Sequence, residues 1–120
     1  MNITLEKNEV LQITSIDYPP KNDPISAIHD MVPMGELLAQ LAEEASELAQ
    51  AALKVRRTIV KDNPTPVTRR QAEDALLEEI ADVKLCLHVC GYERVRDKIT
   101  VNRIISEKAN RWLTRLEGKS

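Results

Sequence analysis

Aromatic residues are scarce in this chain. Its 120 residues include Tyr18, Tyr92 and Trp112 but no phenylalanine. Single-stranded nucleic acids are usually bound by stacking their bases on several aromatic rings, so this composition argues against that class of protein. A core with so few rings is built from aliphatic side chains, which is more typical of packed helices than of a β-sandwich. The length corresponds to one domain.

The chain also lacks an excess of one charge and lacks long hydrophobic runs. Its formal net charge is −2 and its pI is near 5.7, so it has no general electrostatic attraction for nucleic acid or for an anionic membrane. No apolar run approaches the ~20 residues that span a bilayer, and no secretory leader is visible. We therefore expect a cytoplasmic protein with neither a nucleic-acid partner nor a membrane partner.

Cysteine and histidine occur only twice each. Cys86 and Cys90 lie four residues apart, which is not the spacing of a CxxC redox pair, so we interpret them as reduced core residues of a cytosolic protein. Neither His29 nor His88 follows a glutamate by three positions, which argues against the Glu-x-x-His pairs of ferritin-like di-iron bundles. We interpret both histidines as surface or structural residues. The phosphate-binding GxxxxGKS/T and GxGxxG loops are absent as well.

Hydrophobic periodicity predicts three long helices. They span about residues 33–60, 68–90 and 92–116. Pro33 suits the first turn of the first helix, Thr68 and Gln71 have the spacing of a capping box for the second, and Gly91 is a natural residue just past its end. Short connections make neighbouring helices antiparallel. We therefore predict an all-α fold, an antiparallel helical bundle of three main helices that oligomerisation completes.

The N-terminal residues 1–33 are harder to interpret. Ile3 and Leu5 alternate with polar residues, but the apolar residues that follow have mixed periodicity. A short strand, a short helix and a partner-binding arm all remain open. Asp23-Pro24 and the prolines before it indicate a loop. We therefore predict an N-terminal arm and loop over 1–33 and a helical domain over 34–120.

Each predicted helix carries an apolar stripe at about 100° per residue. The first stripe is Leu37, Leu41, Leu48, Ala52, Val55 and Ile59. The second is Leu76, Ile80, Val83 and Leu87. The third is Val95, Ile99, Ile105, Ala109, Leu113 and Leu116. Asn102 and Ser106 interrupt the third stripe, where they either are satisfied locally or in an interface, or line a polar cavity.

Two acidic blocks interrupt the first two helices. Glu44 and Glu47 lie three residues apart, as do Glu79 and Asp82, so each pair occupies one helix face with Cβ atoms roughly 5–6 Å apart. Glu44 falls inside the first apolar stripe and Glu79 at the margin of the second, where a carboxylate is costly unless it is paired or metal-bound. Four such carboxylates on two packed helices would suit Mg²⁺ or Mn²⁺. The alternative is that these acids only solvate amphipathic helices.

The acidic residues resemble a known family motif. Glu43-Glu44-x-x-Glu47 followed by Glu79-x-x-Asp82 is similar to the EExxE…ExxD signature of MazG-like, all-α nucleoside triphosphate pyrophosphohydrolases. The spacing of Lys108 and Arg111 also resembles the K-x-x-R element in the last helix of that family. The resemblance covers roughly residues 34–116.

The resemblance implies hydrolysis of (d)NTP to (d)NMP and pyrophosphate, with Mg²⁺ as cofactor and Mn²⁺ as a substitute. It implies a dimer or tetramer and a house-cleaning role in the nucleotide pool. It assigns the metal to four ligands, which are Glu44, Glu47, Glu79 and Asp82. Glu43 then supports the metal or positions water, and Lys108 and Arg111 approach the phosphates.

Further basic side chains cluster around the turn between the first two helices. They are Lys54, Arg56, Arg57, Lys61, Arg69 and Arg70. Solvated helix ends explain them at least as well as phosphate binding does. We include Lys54 and Asn102 among the candidate substrate-binding residues. The competing hypothesis is a non-enzymatic helical module for oligomerisation or partner binding.

Overall fold

The computed structural model describes residues 23–60 and 66–118, and these residues form four helices and no strand. The helices are α1 (Pro24–Met31), α2 (Met34–Val60), α3 (Arg69–Val89) and α4 (Val95–Leu116). The predicted all-α class is confirmed. The described helices fall into two compact units, one holding α1, α2 and α3 and the other holding α4. No helix in the described part of the chain is long and apolar enough to cross a membrane.

Helix α1 corrects the prediction of a loop around Asp23 and His29. The Asp23 side chain accepts a hydrogen bond from the backbone N–H of Ile25 at 3.2 Å, and Pro24 opens the first turn. Aspartate and proline are typical both of turns and of helix starts, and the helix is too short to show its own periodicity. The strand, helix and arm alternatives for residues 1–22 lie outside the described residues.

The ends of α2 and α3 agree with the sequence. The Pro33 carbonyl accepts hydrogen bonds from the first turn of α2. At the start of α3, the Gln71 N–H donates to Thr68 Oγ1 at 3.1 Å and the Thr68 N–H donates to Gln71 Oε1 at 2.9 Å, which confirms the capping box. Gly91, just past α3, has a φ of 88°. Residues with a Cβ atom rarely adopt this backbone conformation. After this turn α4 begins at Val95, slightly later than predicted.

The core of the first unit lies where α1, the start of α2 and the end of α3 meet. Leu37, Val89 and Cys90 are buried together, and three partly buried residues pack against them, namely Ile25, Val32 and Leu41. The ring of His29 is half-buried, and its Nδ1 lies 2.6 Å from the carbonyl oxygen of Val89. This contact ties α1 to the last turn of α3 and confirms a structural role for that histidine.

The buried faces of α2 and α3 differ in part from the predicted stripes. On α2, Ala51 is buried whereas Ala52 and Ile59 are exposed. On α3, Ala72 is only 2% exposed whereas Ile80 is 38% exposed. Small residues let two helix backbones approach closely, so the alanines are enclosed and larger side chains spread to the edges of the contact. The contacting face of α3 therefore lies closer to Ala72 and Cys86 than to the predicted leucine and isoleucine stripe.

Helix α4 has no buried residue. Every member of its predicted apolar stripe is exposed, namely Val95, Ile99, Ile105, Ala109, Leu113 and Leu116. Ile104, which is not a member of that stripe, is half-buried. The amphipathic pattern of α4 is therefore real, but its main apolar face remains accessible.

Candidate metal centre and adjoining groove

The acidic cluster is assembled from the facing sides of α2 and α3. Two helical residues three apart lie on the same face, and the antiparallel packing of α2 and α3 brings the two acidic faces together. Glu43, Glu44 and Glu47 form one group, and Glu44, Glu79 and Asp82 form a second. In each group one oxygen from each carboxylate lies within 4.8 Å of the others. All five predicted acidic residues are therefore brought together, and Glu44 belongs to both groups.

Two of these carboxylates are partly enclosed. Glu44 and Glu79 are half-buried, whereas Glu43, Glu47 and Asp82 are exposed. Oε1 of Glu44 and Oε1 of Glu79 are inaccessible to solvent, and neither has a hydrogen-bond partner among the described residues. A buried carboxylate oxygen without a partner is costly unless a proton or a cation satisfies it. The half-buried position of Glu79 fits its predicted place at the margin of the stripe, and its enclosed oxygen strengthens the case for a cation.

Gln40 lies one turn before the cluster on α2 and binds the second carboxylate oxygen of Glu44. Its Nε2 donates to Glu44 Oε2 at 2.8 Å and, at the longer distance of 3.4 Å, to Glu43 Oε1. This donor satisfies the outer oxygen of Glu44 and leaves Oε1 facing inward. Gln40 was not among the predicted site residues, although its spacing of three and four residues before the acids is a recognisable signal.

Mutual repulsion and burial perturb the titration of the cluster. The pKa of Glu47 is raised, mainly by the negative charge of Glu44 and further by desolvation and by the charges of Glu43 and Asp82. The pKa of Glu79 is raised mainly by desolvation, and then by the neighbouring carboxylates. Each of these influences disfavours the charged form. The cluster therefore favours uptake of a proton or a cation.

The donor set fits a hard divalent cation. All candidate ligand atoms are carboxylate oxygens, the type that Mg²⁺ and Mn²⁺ prefer. The unpartnered inner oxygens of Glu44 and Glu79 and the raised pKa values of Glu47 and Glu79 both indicate missing positive charge. Exposed acidic groups are common without an ion, so the two enclosed oxygens are the more informative observation.

A groove of about 730 Å³ adjoins the cluster between α2 and α3. Its size lies within the ~300–1,000 Å³ range of small-molecule sites. It is lined by Glu47, Gln50, Ala51, Leu53, Lys54, Arg57, Ala72, Ala75 and Glu79. The groove therefore joins two predicted metal ligands to two basic side chains across a short patch of small apolar residues.

The basic residues around the α2–α3 turn have different environments. Lys54, a predicted substrate-binding residue, lines the groove together with Arg57. Arg69 and Arg70 instead pair with acids one turn further along α3, at 3.0 Å from Glu73 and 3.4 Å from Asp74. These two arginines are solvated helix-end residues. Lys61 lies outside the described residues.

Arg57 is a groove residue that sequence reasoning did not select. The sequence shows Arg57 only as one of several basic residues near the α2–α3 turn. Unlike Arg56, however, Arg57 lies three residues after Lys54. That spacing places Lys54 and Arg57 on one face of α2, whereas Arg56 does not line the groove.

The other predicted substrate-binding residues lie on α4. Asn102, Lys108 and Arg111 are exposed there, as is Ser106. They belong to the second compact unit, and their role in substrate binding stays a prediction.

Cys86 lies one turn beyond Asp82 on α3 and is buried, as is Cys90, and both are free thiols. Burial is the main cause that raises the pKa of Cys86, and the charge of Glu44 adds to it. Burial also raises the pKa of Cys90. Both thiols are therefore held protonated and unreactive at neutral pH, which agrees with their interpretation as core residues.

The chain matches no protein-family model, no curated protein and no solved structure. The likeness to MazG-like enzymes consequently depends on the motif residues alone.

Proposed function

We propose that the protein is a metal-dependent nucleoside triphosphate pyrophosphohydrolase that converts (d)NTP to (d)NMP and pyrophosphate. The observation that carries the proposal is the cluster of carboxylates in which Glu44 and Glu79 each keep one enclosed, unpartnered oxygen. The motif resemblance and the adjoining groove with its two basic side chains add to this support.

The cluster needs a cation before it can accept such a substrate. Carboxylates and phosphates are both negative, so the acids alone would repel a triphosphate. Glu44, Glu47, Glu79 and Asp82 would hold Mg²⁺ or Mn²⁺, with Gln40 fixing the orientation of Glu44. When bound, the metal would neutralise phosphate charge and make water more acidic.

We assign Glu43 to the attacking water, because it is the one acid of the motif that is not among the four proposed metal ligands. It is exposed, its oxygen lies within 4.8 Å of oxygens of Glu44 and Glu47, and the four ligands leave it free for proton transfer. In the proposed reaction water attacks the α-phosphorus, the bond to the bridging oxygen of the β-phosphate breaks, and pyrophosphate leaves. Glu43 orients the water and accepts its proton.

The proposal includes a homo-oligomer, either a dimer or a tetramer. The exposed apolar stripe of α4 is the kind of surface that usually marks an interface, and two-fold symmetry is its commonest closure. Lys108, Arg111 and Asn102 of one subunit would then contribute to phosphate binding in the site of another. The two free thiols agree with action on nucleotides in the reducing cytoplasm.

A screen of pyrophosphate release tests the reaction. The full chain is incubated with each canonical dNTP and NTP in the presence of Mg²⁺ or Mn²⁺, and the products are separated by chromatography. At least one nucleotide should yield the monophosphate and pyrophosphate. Release of orthophosphate with the diphosphate, or no turnover with either metal, would contradict the proposal.

A helical interaction module is the second candidate, and the exposed stripe of α4 favours it. In that case the acids would only solvate α2 and α3. Thermal melting with and without Mg²⁺ discriminates between the two, because a ligand that binds only the folded state must raise the melting temperature. A melting temperature that does not respond to metal favours the interaction module.

A further inference from the structure

The two basic residues of the groove lie on the same side of α2 as the acid cluster. Lys54 and Arg57 follow Glu47 by seven and ten residues, and all three line the groove. At 1.5 Å per residue, their Cα atoms lie about 10 Å and about 15 Å beyond Glu47 along the helix axis. Long helical side chains lean toward the helix N-terminus, which directs both basic groups back toward the cluster.

Neither basic group is neutralised within the described residues. Arg69, Arg70 and Arg103 each pair with an acid four positions later. Lys54 and Arg57, in contrast, have no hydrogen bond or ion pair with another described side chain. Arg57 is also half-buried, and its guanidinium donors have no partner among the described residues. A guanidinium fork matches the oxygens of a phosphate group.

The facing wall of the groove offers space rather than competing charge. Helix α3 lines the groove with Ala72, Ala75 and Glu79, and Glu79 at the cluster is the one acid among these three. A ligand that extends from the cluster along the groove therefore moves from a metal-binding end to a cationic end. Such a sequence of environments suits a polyphosphate better than a neutral base, which would leave both cations without a counter-charge.

We propose that Lys54 and Arg57 form a pyrophosphate subsite that binds the β- and γ-phosphates of the substrate. The inference deepens the proposed function, on which it rests, by giving the direction of the bound nucleotide. The α-phosphate lies at the acid cluster, the leaving pyrophosphate lies along α2, and the nucleoside lies outside this part of the groove. Free inorganic pyrophosphate binds to the same two residues.

Calorimetric titration of the full chain with inorganic pyrophosphate and Mg²⁺ tests the subsite. The variants are Lys54→Met and Arg57→Met, which keep an unbranched apolar stem, and the matched control is Arg56→Met outside the groove. Loss of a charge-assisted phosphate contact should weaken pyrophosphate binding about ten-fold or more for each groove variant. The control should bind like the wild type, and the affinity for nucleoside monophosphate should change little in every variant.

Lys54 is exposed, so its variant gives a clear result even if Arg57→Met fails to fold. Wild-type binding of pyrophosphate by both groove variants would overturn the subsite and leave the hydrolase proposal standing. A loss of monophosphate binding instead, an equal loss in the Arg56 control, or no pyrophosphate binding by the wild type would also overturn it. Binding that depends on Arg57 in a protein that hydrolyses no nucleotide would support the subsite and refute the hydrolase.

Discussion

The α2–α3 pair and α4 use helices of similar character in different ways. Helix α3 has 21 residues and α4 has 22, and both carry charged and apolar faces. Yet α2 and α3 enclose residues between them, whereas α4 encloses none. An amphipathic pattern thus indicates that one face of a helix is apolar, but it does not identify what packs against that face. The acidic cluster lies on α2 and α3, the covered pair, where packing can hold carboxylates close together.

The α2–α3 pair also brings several negative charges close together, and no such cluster occurs among the described residues of α4. The negative charge of Glu44 is the main cause that raises the pKa of Glu47, and the charge of Asp82 on α3 adds to it. The pKa of Glu79 is raised mainly by desolvation and further by the neighbouring carboxylates. On α4 the acid Glu107 is paired with Arg103 at 3.2 Å in the usual surface manner. Natural proteins keep such conflicts mainly at functional sites. The comparison therefore separates a helix pair with a self-repelling acidic cluster from a helix with an exposed apolar stripe.

The largest expected effect is the loss of activity on removing one charge from the covered pair. Glu79→Gln should lower pyrophosphate release by more than about 100-fold, since the loss of a direct ligand exceeds the 10–100-fold losses typical of outer-shell changes. The variant should fold as well as the wild type without metal, because one repelling charge is removed. Melting curves and product assays measure both effects.

Glu78→Gln is the matched control, because Glu78 is exposed and belongs to neither carboxylate group. It should retain wild-type activity. Equal damage from Glu78→Gln and Glu79→Gln would mean that the face assigned to α3 is wrong.

The next effect concerns the proposed self-association through α4. We expect light scattering at micromolar concentration to give a mass of at least twice the 13.6 kDa of one chain. Leu113→Glu, within the exposed stripe, should shift the mass toward one chain because it places a charge in an apolar contact. Asn110→Glu, off the stripe, should not. A wild-type mass of one chain would show that the stripe does not mediate self-association.

Mixing two inactive variants tests whether α4 acts on the site of another subunit. Glu79→Gln disables the metal cluster, and Lys108→Ala disables the α4 contribution. If the site is shared, mixed oligomers should recover part of the activity, because some sites then contain both intact parts. Mixtures that stay as inactive as each variant alone would place the two contributions within one chain.

A smaller effect is the response of the covered pair to metal. A cation at about 100 times its dissociation constant stabilises the folded state by about 2.7 kcal/mol, which corresponds to a rise in melting temperature of about 10 °C for a domain of this size. Glu44→Gln should abolish most of the rise, because Glu44 is common to both carboxylate groups. An unchanged rise in this variant would place the metal elsewhere.

The smallest effect is the pH dependence of the metal-free protein. Folding raises the pKa of Glu47 and of Glu79 above the ordinary 4.5, so the folded state binds more protons than the unfolded state. Their contribution to stability is present below pH 4.5 and is lost as pH rises through the raised values. The difference in melting temperature between wild type and Glu79→Gln should therefore shift in favour of the variant over this range. A difference that does not change with pH would contradict the desolvation and repulsion assigned to Glu79.

The sequence predicted the parts of this molecule that depend on local spacing. Thr68 and Gln71 determine the start of α3 by hydrogen bonds three residues apart, and the acid spacing fixes which carboxylates share a face. Contacts between helices were harder to predict from the sequence. The burial of Ala72 instead of Ile80 depends on how closely α2 and α3 approach, which no single-helix pattern contains. The place of Arg57 in the groove likewise depends on the register between two helices.

The contact between His29 and the last turn of α3 marks the limits of the sequence segment that contains the candidate site. It joins residues that are 60 positions apart, and so brings the first and last helices of the α1–α3 unit together. Every carboxylate of the cluster and every residue of the groove lies between those two points in the sequence. The candidate metal ligands and the groove residues thus lie in one contiguous segment, residues 29–89, whose ends are in contact. Exchange of the sequence outside this segment would retain every candidate metal ligand and every groove residue, whereas the proposed contribution of Lys108 and Arg111 would be lost with α4.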